Sequence, residues 1–199
     1  MTDEFKTLRG EIRTETKVQS SRFIATALST VTIDQVERFI AATRRHFHDA
    51  THNCYAYWIG TDGTQYRSND DGEPSGSGGK PILAAIDRFG LTDLTVIVTR
   101  YFGRTKLGAR KLSRAYGNAA KHALAQAEHV VSYKMESLEA SFPHSQISNV
   151  MHVVSQLGAR ILDTTYDEEV HVRLEARSSM LDHLRSLLLN QTSGNISIK

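Results

Sequence analysis

The chain has 199 residues, 40% hydrophobic and 23% charged, the balance of a soluble globular protein long enough for one large or two small domains. No apolar run approaches the roughly 20 residues that cross a bilayer, "MTDEFKTLRGEIRTETK" has no apolar h-region, and the single cysteine, Cys54, excludes a disulfide within the chain, so a reducing cytoplasm and no secretory signal are expected. The net charge of +2 hides a split: residues 1–134 hold 19 basic and 14 acidic residues, net +5, whereas residues 135–199 hold 5 and 8, net −3, which suggests two units with different tasks.

In chain order, "SRFIATALS" (Ser21 to Ser29) predicts a strand. Thr32 and Gln35 offer a capping box for a helix from Ile33 to about His46, with Val36, Phe39, Ile40 and Thr43 on its inward face. Two aromatic runs, "HNCYAYWIG" and "TQYRS", read as strands joined through an Asp62-Gly63 turn. After the loop "SNDDGEPSGSGGKPIL", Pro81 suits the first turn of a short helix that Gly90 can close. "LTVIVTRY" (Leu94 to Tyr101) predicts a central strand, and a long helix follows from about Ala109 to Glu128, with Leu112, Ala115, Tyr116, Ala119, Ala123 and Leu124 at core-facing spacing. The pattern restarts around Val130 to Lys134, which places a boundary between domains 1–131 and 132–199. Beyond it, "ESLEASF", "SQISNVMHVVSQLG", "RILDTTY", "EVHVRLEA", "SMLDHLRSLLLN" and "NISI" give β-α-β-β-α-β, the split βαβ or ferredoxin-like order. The fold class is therefore α+β in two domains.

Several chemistries compete for the polar segments. A Walker loop ending at Lys80 needs glycine where Pro74 stands and Ser or Thr where Pro81 stands, and a dinucleotide fingerprint from Gly76 and Gly78 also ends on Pro81. Gly78, Gly79 and Lys80 still precede a helix whose free N–H groups form either an anion site or a simple glycine cap. Asp70, Asp71 and Glu73, with His52 or Lys80, offer a hydrolase-type acid/base set or Mg²⁺ ligands, against the simpler reading of structural ion pairs with Arg100, Arg104 and Arg110. His46, His48, His52 and Cys54 are all zinc-ligand types but match no structural zinc spacing. Cys54 as a nucleophile has His52 as its one local base, while a buried inert thiol is the simpler state.

The strongest signal is "RYFGRTKLGARKLSRAYGNAAKH". From Arg100 to Lys121 it holds Arg100, Arg104, Lys106, Arg110, Lys111, Arg114 and Lys121 and no acid. Arg110, Arg114, Asn118 and Lys121 recur at i, i+4, i+8 and i+11, one basic helix face opposite the apolar stripe. Tyr101 and Phe102 sit beside it, to stack on bases or to fill the core. A basic groove of this kind suits a polyanion, RNA above all, and the bland alternative is a solvated helix face.

"SRFIA", "HNCYAY", "DDGEPSGSGGKPIL" and "VTRYFG…LG…AYG", in this order from Ser21 to about Glu128, resemble the IMPACT/YigZ (UPF0029) family. One departure is Arg104, where the family usually has a second glycine. The resemblance implies an amino-terminal domain of the small-ribosomal-protein domain-two type, a β/α sandwich like domain IV of elongation factor G, and a carboxy-terminal domain like domain V of that factor. It also implies a role in translational control, since eukaryotic relatives compete for a protein activator of a stress-responsive initiation-factor kinase, with no known reaction, metal or nucleotide. The reading is thus a non-catalytic, cytoplasmic, translation-associated regulator that binds RNA or the ribosome. Gly78, Gly79, Lys80, Arg100, Arg104, Lys106, Arg110, Lys111 and Arg114 would hold the anion, and Asp70, Asp71 and Glu73 would organise the loop, with Asp70 and Asp71 turned toward Arg100. No cofactor and no membrane partner is expected. A protein-binding regulator of a translational stress response is the other non-enzymatic reading.

Overall fold

The computed structural model describes residues 3–61 and 65–199; the expected Asp62-Gly63 turn lies outside the described residues. The chain divides into two compact units, Phe5–Ser132 and Tyr133–Lys199, with Asp3 and Glu4 belonging with the second. Each has its own apolar core. From the amino terminus the chain runs β1 (Glu4–Leu8), β2 (Ile12–Val18), β3 (Ser21–Ser29), α1 (Ile33–His46), β4 (His52–Ile59), β5 (Gln65–Asn69), α2 (Gly79–Phe89), β6 (Leu94–Tyr101), α3 (Ala109–Gln126) and β7 (His129–Tyr133). It continues with β8 (Met135–Phe142), α4 (Ile147–Leu157), β9 (Arg160–Tyr166), β10 (Val170–Arg177), α5 (Leu181–Gln191) and β11 (Ser197–Ile198).

The first unit is built on a five-stranded sheet of order β2-β3-β6-β4-β5, antiparallel throughout. β6 lies at its centre and is buried on both faces, which is why its sequence is apolar without alternation. Leu94, Val96 and Val98 face α2 and α3 together with Phe23, Ala25, Ala27, Cys54 and Ala56, while Ile97 and Tyr55 meet Phe39 of α1 on the other side. Alanines on strands and helices let α2 and α3 lie close to the sheet. They also lie close to each other, for a Cβ added at Gly117 would stand 3.4 Å from Pro81. β1 and β7 form a separate two-stranded ribbon.

Helix ends follow local chemistry. Thr32 Oγ1 accepts from the Gln35 N–H at 3.2 Å, and Gln35 Oε1 accepts from the Val31 N–H at 2.8 Å, so the box closes one residue earlier than the usual reciprocal bond. α2 begins at Gly79, two residues ahead of Pro81, and ends on Gly90 in the left-handed region at φ +61°, where glycine carries no steric penalty.

The second unit has sheet order β11-β8-β10-β9, antiparallel, with α4 and α5 supplying the rest of one core. This is the split βαβ arrangement, and the whole is α+β in two domains. Leu138, Phe142, Val150, Val153, Leu174 and Leu184 are fully or almost fully buried. Along β10 burial alternates residue by residue, so one face of the sheet packs and the other stays open. Among the described residues no helix is long and apolar enough to cross a membrane.

Leu184 of α5 is 0% exposed and Leu189 of the same helix 45% exposed. Leu184→Ala is expected to cost about 2–5 kcal/mol in urea denaturation, and Leu189→Ala to stay within about 0.5 kcal/mol of the wild-type chain.

Candidate nucleic-acid interface

The acidic and glycine-rich loop between β5 and α2 is bound from within. The Asp70 carboxylate accepts N–H bonds from Gly76 at 2.8 Å, Gly78 at 2.9 Å and Gly79 at 2.8 Å, so it caps α2 itself. Asp71, at φ +45°, accepts from the Asn53 N–H at 2.7 Å and from Arg44 at 2.5 Å. The glycines are required by proximity. A Cβ at Gly78 would lie 2.4 Å from Cys54 Sγ, and one at Gly79 would lie 2.5 Å from the Asn69 backbone N.

Glu73 is the buried centre of this region. Its Oε1 accepts from Arg100 Nη1 at 2.6 Å and from the Tyr116 hydroxyl at 2.7 Å, and its Oε2 lies 3.9 Å from His52 Nε2. His52 donates from Nδ1 to the Asp71 carbonyl at 2.8 Å. Cys54 donates its thiol proton to the Asp70 carbonyl at 3.0 Å. Burial first, and then the nearby carboxylates, push that thiol up to about 12, despite an opposing hydrogen bond with Tyr116. Burial also drives the Tyr116 phenol well above its ordinary range, helped by Cys54 and Glu73.

These contacts correct three expectations. Gly78 and Gly79 do not present free N–H groups to an external anion, because Asp70 already holds them. Arg100 does not share a groove with the helix cations. It is 5% exposed, turned to the inner side of β6 and neutralised by Glu73. Asp70 and Asp71 do not turn toward Arg100; the carboxylate that does is Glu73. Lys80 remains exposed, its stem against Gly76. The proposed zinc donors diverge, with His46 on Arg13 at 3.2 Å, His52 on Asp71 and Cys54 in the core. Among the described residues no group of three or more His, Cys, Asp or Glu is placed to hold a metal ion.

The remaining cations do face solvent. Arg104 and Lys106 are exposed in the loop before α3, and Arg110, Lys111 and Arg114 are exposed along that helix, with Lys121 half-buried. None of the six is in an ion pair with a described carboxylate. The α3 amino terminus has no side-chain cap and no acid in its first turn, so its N–H groups and dipole reinforce the positive field. Reading the sequence missed Tyr116 as the partner of Glu73, since its spacing signals only a core position. It also missed Ser20, Ser21 and Thr51, whose hydroxyls hold the segment after β6; small hydroxyl residues in turns carry no such signal. The second unit has a cavity of about 280 Å³ on its open sheet face, where Glu139 and Asp163 stand among His171, Arg173 and Lys199. Its charges are of mixed sign.

Two outcomes follow from the loop. Cys54 is expected to resist iodoacetamide at neutral pH in the folded chain and to react fully once denatured. For Asp70, burial raises the pKa, but the Gly76, Gly79 and Gly78 N–H groups and Lys80 outweigh it and hold the carboxyl below its ordinary value. The stabilisation is therefore present above the unfolded pKa of about 3.9 and is lost as pH falls through the lower folded value. Asp70→Ala should cost about 1–2 kcal/mol at neutral pH and flatten the acid limb of a stability-versus-pH curve.

Residues 19–124 match the Impact N-terminal domain, and residues 141–195 match a domain of unknown function (DUF1949). The chain is similar to the IMPACT family member YvyE of Bacillus subtilis (strain 168), 30% identical over 185 residues, which are 93% of this chain and 85% of that protein. It is also similar to the IMPACT family member YigZ of Escherichia coli (strain K12), 27% identical over 184 residues, 92% of this chain and 90% of that one. A solved structure titled "Crystal structure of an hypothetical protein" shares the fold, with a TM-score of 0.82, 24% identity and coverage of 100% of this chain and 97% of the other. With the Impact N-terminal domain spanning more than half of its length and YvyE aligned along nearly all of it, the chain belongs to the IMPACT family.

Proposed function

We propose that the chain is a non-catalytic, cytoplasmic, translation-associated regulator that binds RNA, free or within the ribosome, through the outer face of α3 and the loop before it. The observation that carries this reading is the separation of charge in the first unit. Asp70, Asp71 and Glu73 are consumed by internal partners, whereas Arg104, Lys106, Arg110, Lys111, Arg114 and Lys121 have no described carboxylate to neutralise them. An uncompensated run of cations beside a helix amino terminus attracts a phosphate backbone and releases its counterions. Membership of the IMPACT family supports the translational setting. The hydrolase-type alternative is disfavoured because Asp70, Asp71 and Glu73 would have to abandon structural roles and because Cys54 is held protonated.

Arg110→Glu with Arg114→Glu is expected to weaken RNA binding about 100-fold or more at moderate salt while leaving the melting temperature unchanged, since both side chains are exposed. For the wild-type chain, log affinity should fall with log salt at about −0.7 per neutralised phosphate, hence near −4 for six contacts on a single strand. A double variant that keeps wild-type affinity, or an affinity without salt dependence, would sink the assignment. Association with ribosomal fractions that survives nuclease treatment would point to a protein partner instead.

A further inference from the structure

Three aromatic side chains are prominent on the described surface: Tyr66, Phe102 and Tyr166. Tyr66 packs against Trp58, with ring centroids 5.3 Å apart, and Tyr166 is followed by Asp167, Glu168 and Glu169, which repel phosphate. Phe102 alone lies within the acid-free basic segment, two residues before Arg104 and four before Lys106.

Its exposure does not come from a loose loop. The Phe102 N–H donates to Thr51 Oγ1 at 3.0 Å, and the Thr51 N–H donates to the Arg100 carbonyl at 2.9 Å. The next residues are fastened to the turn between β2 and β3, through Gly103 N–H to Ser21 Oγ at 3.2 Å and Thr105 N–H to Ser20 Oγ at 3.3 Å. A Cβ on Gly103 would stand 2.2 Å from the Ser20 carbonyl oxygen, so the backbone lies directly against that turn. On one side of the Phe102 ring sits the Arg100 guanidinium, 5.2 Å from the centroid, itself fixed by Glu73. Phe102 nevertheless remains 48% exposed. An apolar face that is held rigid, backed by a buried cation and flanked by free cations is already arranged for its partner, and ordering it on binding costs little.

We infer that Phe102 is a stacking platform for an unpaired base, so that the RNA held by the basic surface is single-stranded where it crosses the loop before α3. This rests on the RNA-binding reading above and adds the class of RNA. A base inside a duplex has both faces covered by its neighbours. Away from a duplex end, only an unpaired base can offer one to an aromatic ring, while flanking cations hold the phosphates on either side. Stacking of this kind tolerates any base, so the platform selects for strandedness and contributes little sequence preference.

The test uses the full chain and fluorescence anisotropy with a short mixed-sequence single-stranded RNA and a long RNA duplex, whose two open ends are few beside its internal sites, at one salt concentration. Phe102→Ala and Phe102→Leu should weaken single-strand binding by about 5- to 150-fold and leave duplex binding unchanged, and Phe102→Trp should restore the single strand. Thermal melts of the variants should match the wild-type chain. Single-strand affinity unaltered by Phe102→Ala, or an equal loss on both RNAs, overturns the platform, and the charge-reversal pair then shows whether the basic surface still stands. If that pair binds normally while Phe102→Ala loses the single strand, the stacking site survives and the helix face does not. A wild-type chain that binds neither RNA overturns both.

Discussion

The first unit depends on a carboxylate that water does not reach. The Glu73 side chain is 4% exposed, and an ion so placed costs several kcal/mol unless its partners are well aligned. Here they come from two elements that are distant in sequence, Arg100 at the end of the central strand and Tyr116 on α3. One loop residue thereby joins β6 to α3. The same point is met from β4, where His52 lies opposite Arg100 and turns its ring toward Asp71. Arg100 is not fully satisfied, since its Nε lacks a partner among the described residues, which suggests that its place is set by Glu73 and by the ring of Phe23, 5.6 Å away.

This anchoring divides the charges by location. The carboxylates of the loop before α2 are turned inward as caps and ion pairs, and the cations that follow β6 have no described carboxylate to meet. A modest net charge thus conceals a locally one-sided surface. The local field, and not the total, sets how a polyanion approaches.

Much of the architecture was legible because burial imposes period. The unbroken apolar run of β6, the heptad-like spacing on α3 and the alternation along β10 each report how many of their faces are covered. The strands β1 and β2 were not legible. β2 buries only Ile12, Thr14, Thr16 and Val18 in part, alternating with Arg13, Glu15 and Lys17, and a charged edge strand reads like a polar tail. The cations of α3 could be placed because helical spacing fixes a face from the sequence alone. The loop could not, because Asp70, Asp71 and Glu73 are near-equivalent in sequence. Which of them caps a helix, pairs with Arg44 or enters the core is decided by the left-handed turn at Asp71 and by glycines packed against Cys54 and Asn69. Partner choice of this kind is tertiary information.

Asp3 belongs to the second unit. Its carbonyl accepts from the Lys134 N–H at 2.7 Å, and its carboxylate, held below its ordinary pKa chiefly by the Ser179 hydroxyl, is bonded to that hydroxyl at 2.6 Å across 176 positions. The second unit is therefore sewn from two stretches that the whole of the first unit separates in sequence, and cutting the chain between them would leave the Ser179 hydroxyl and the Lys134 N–H without their partner.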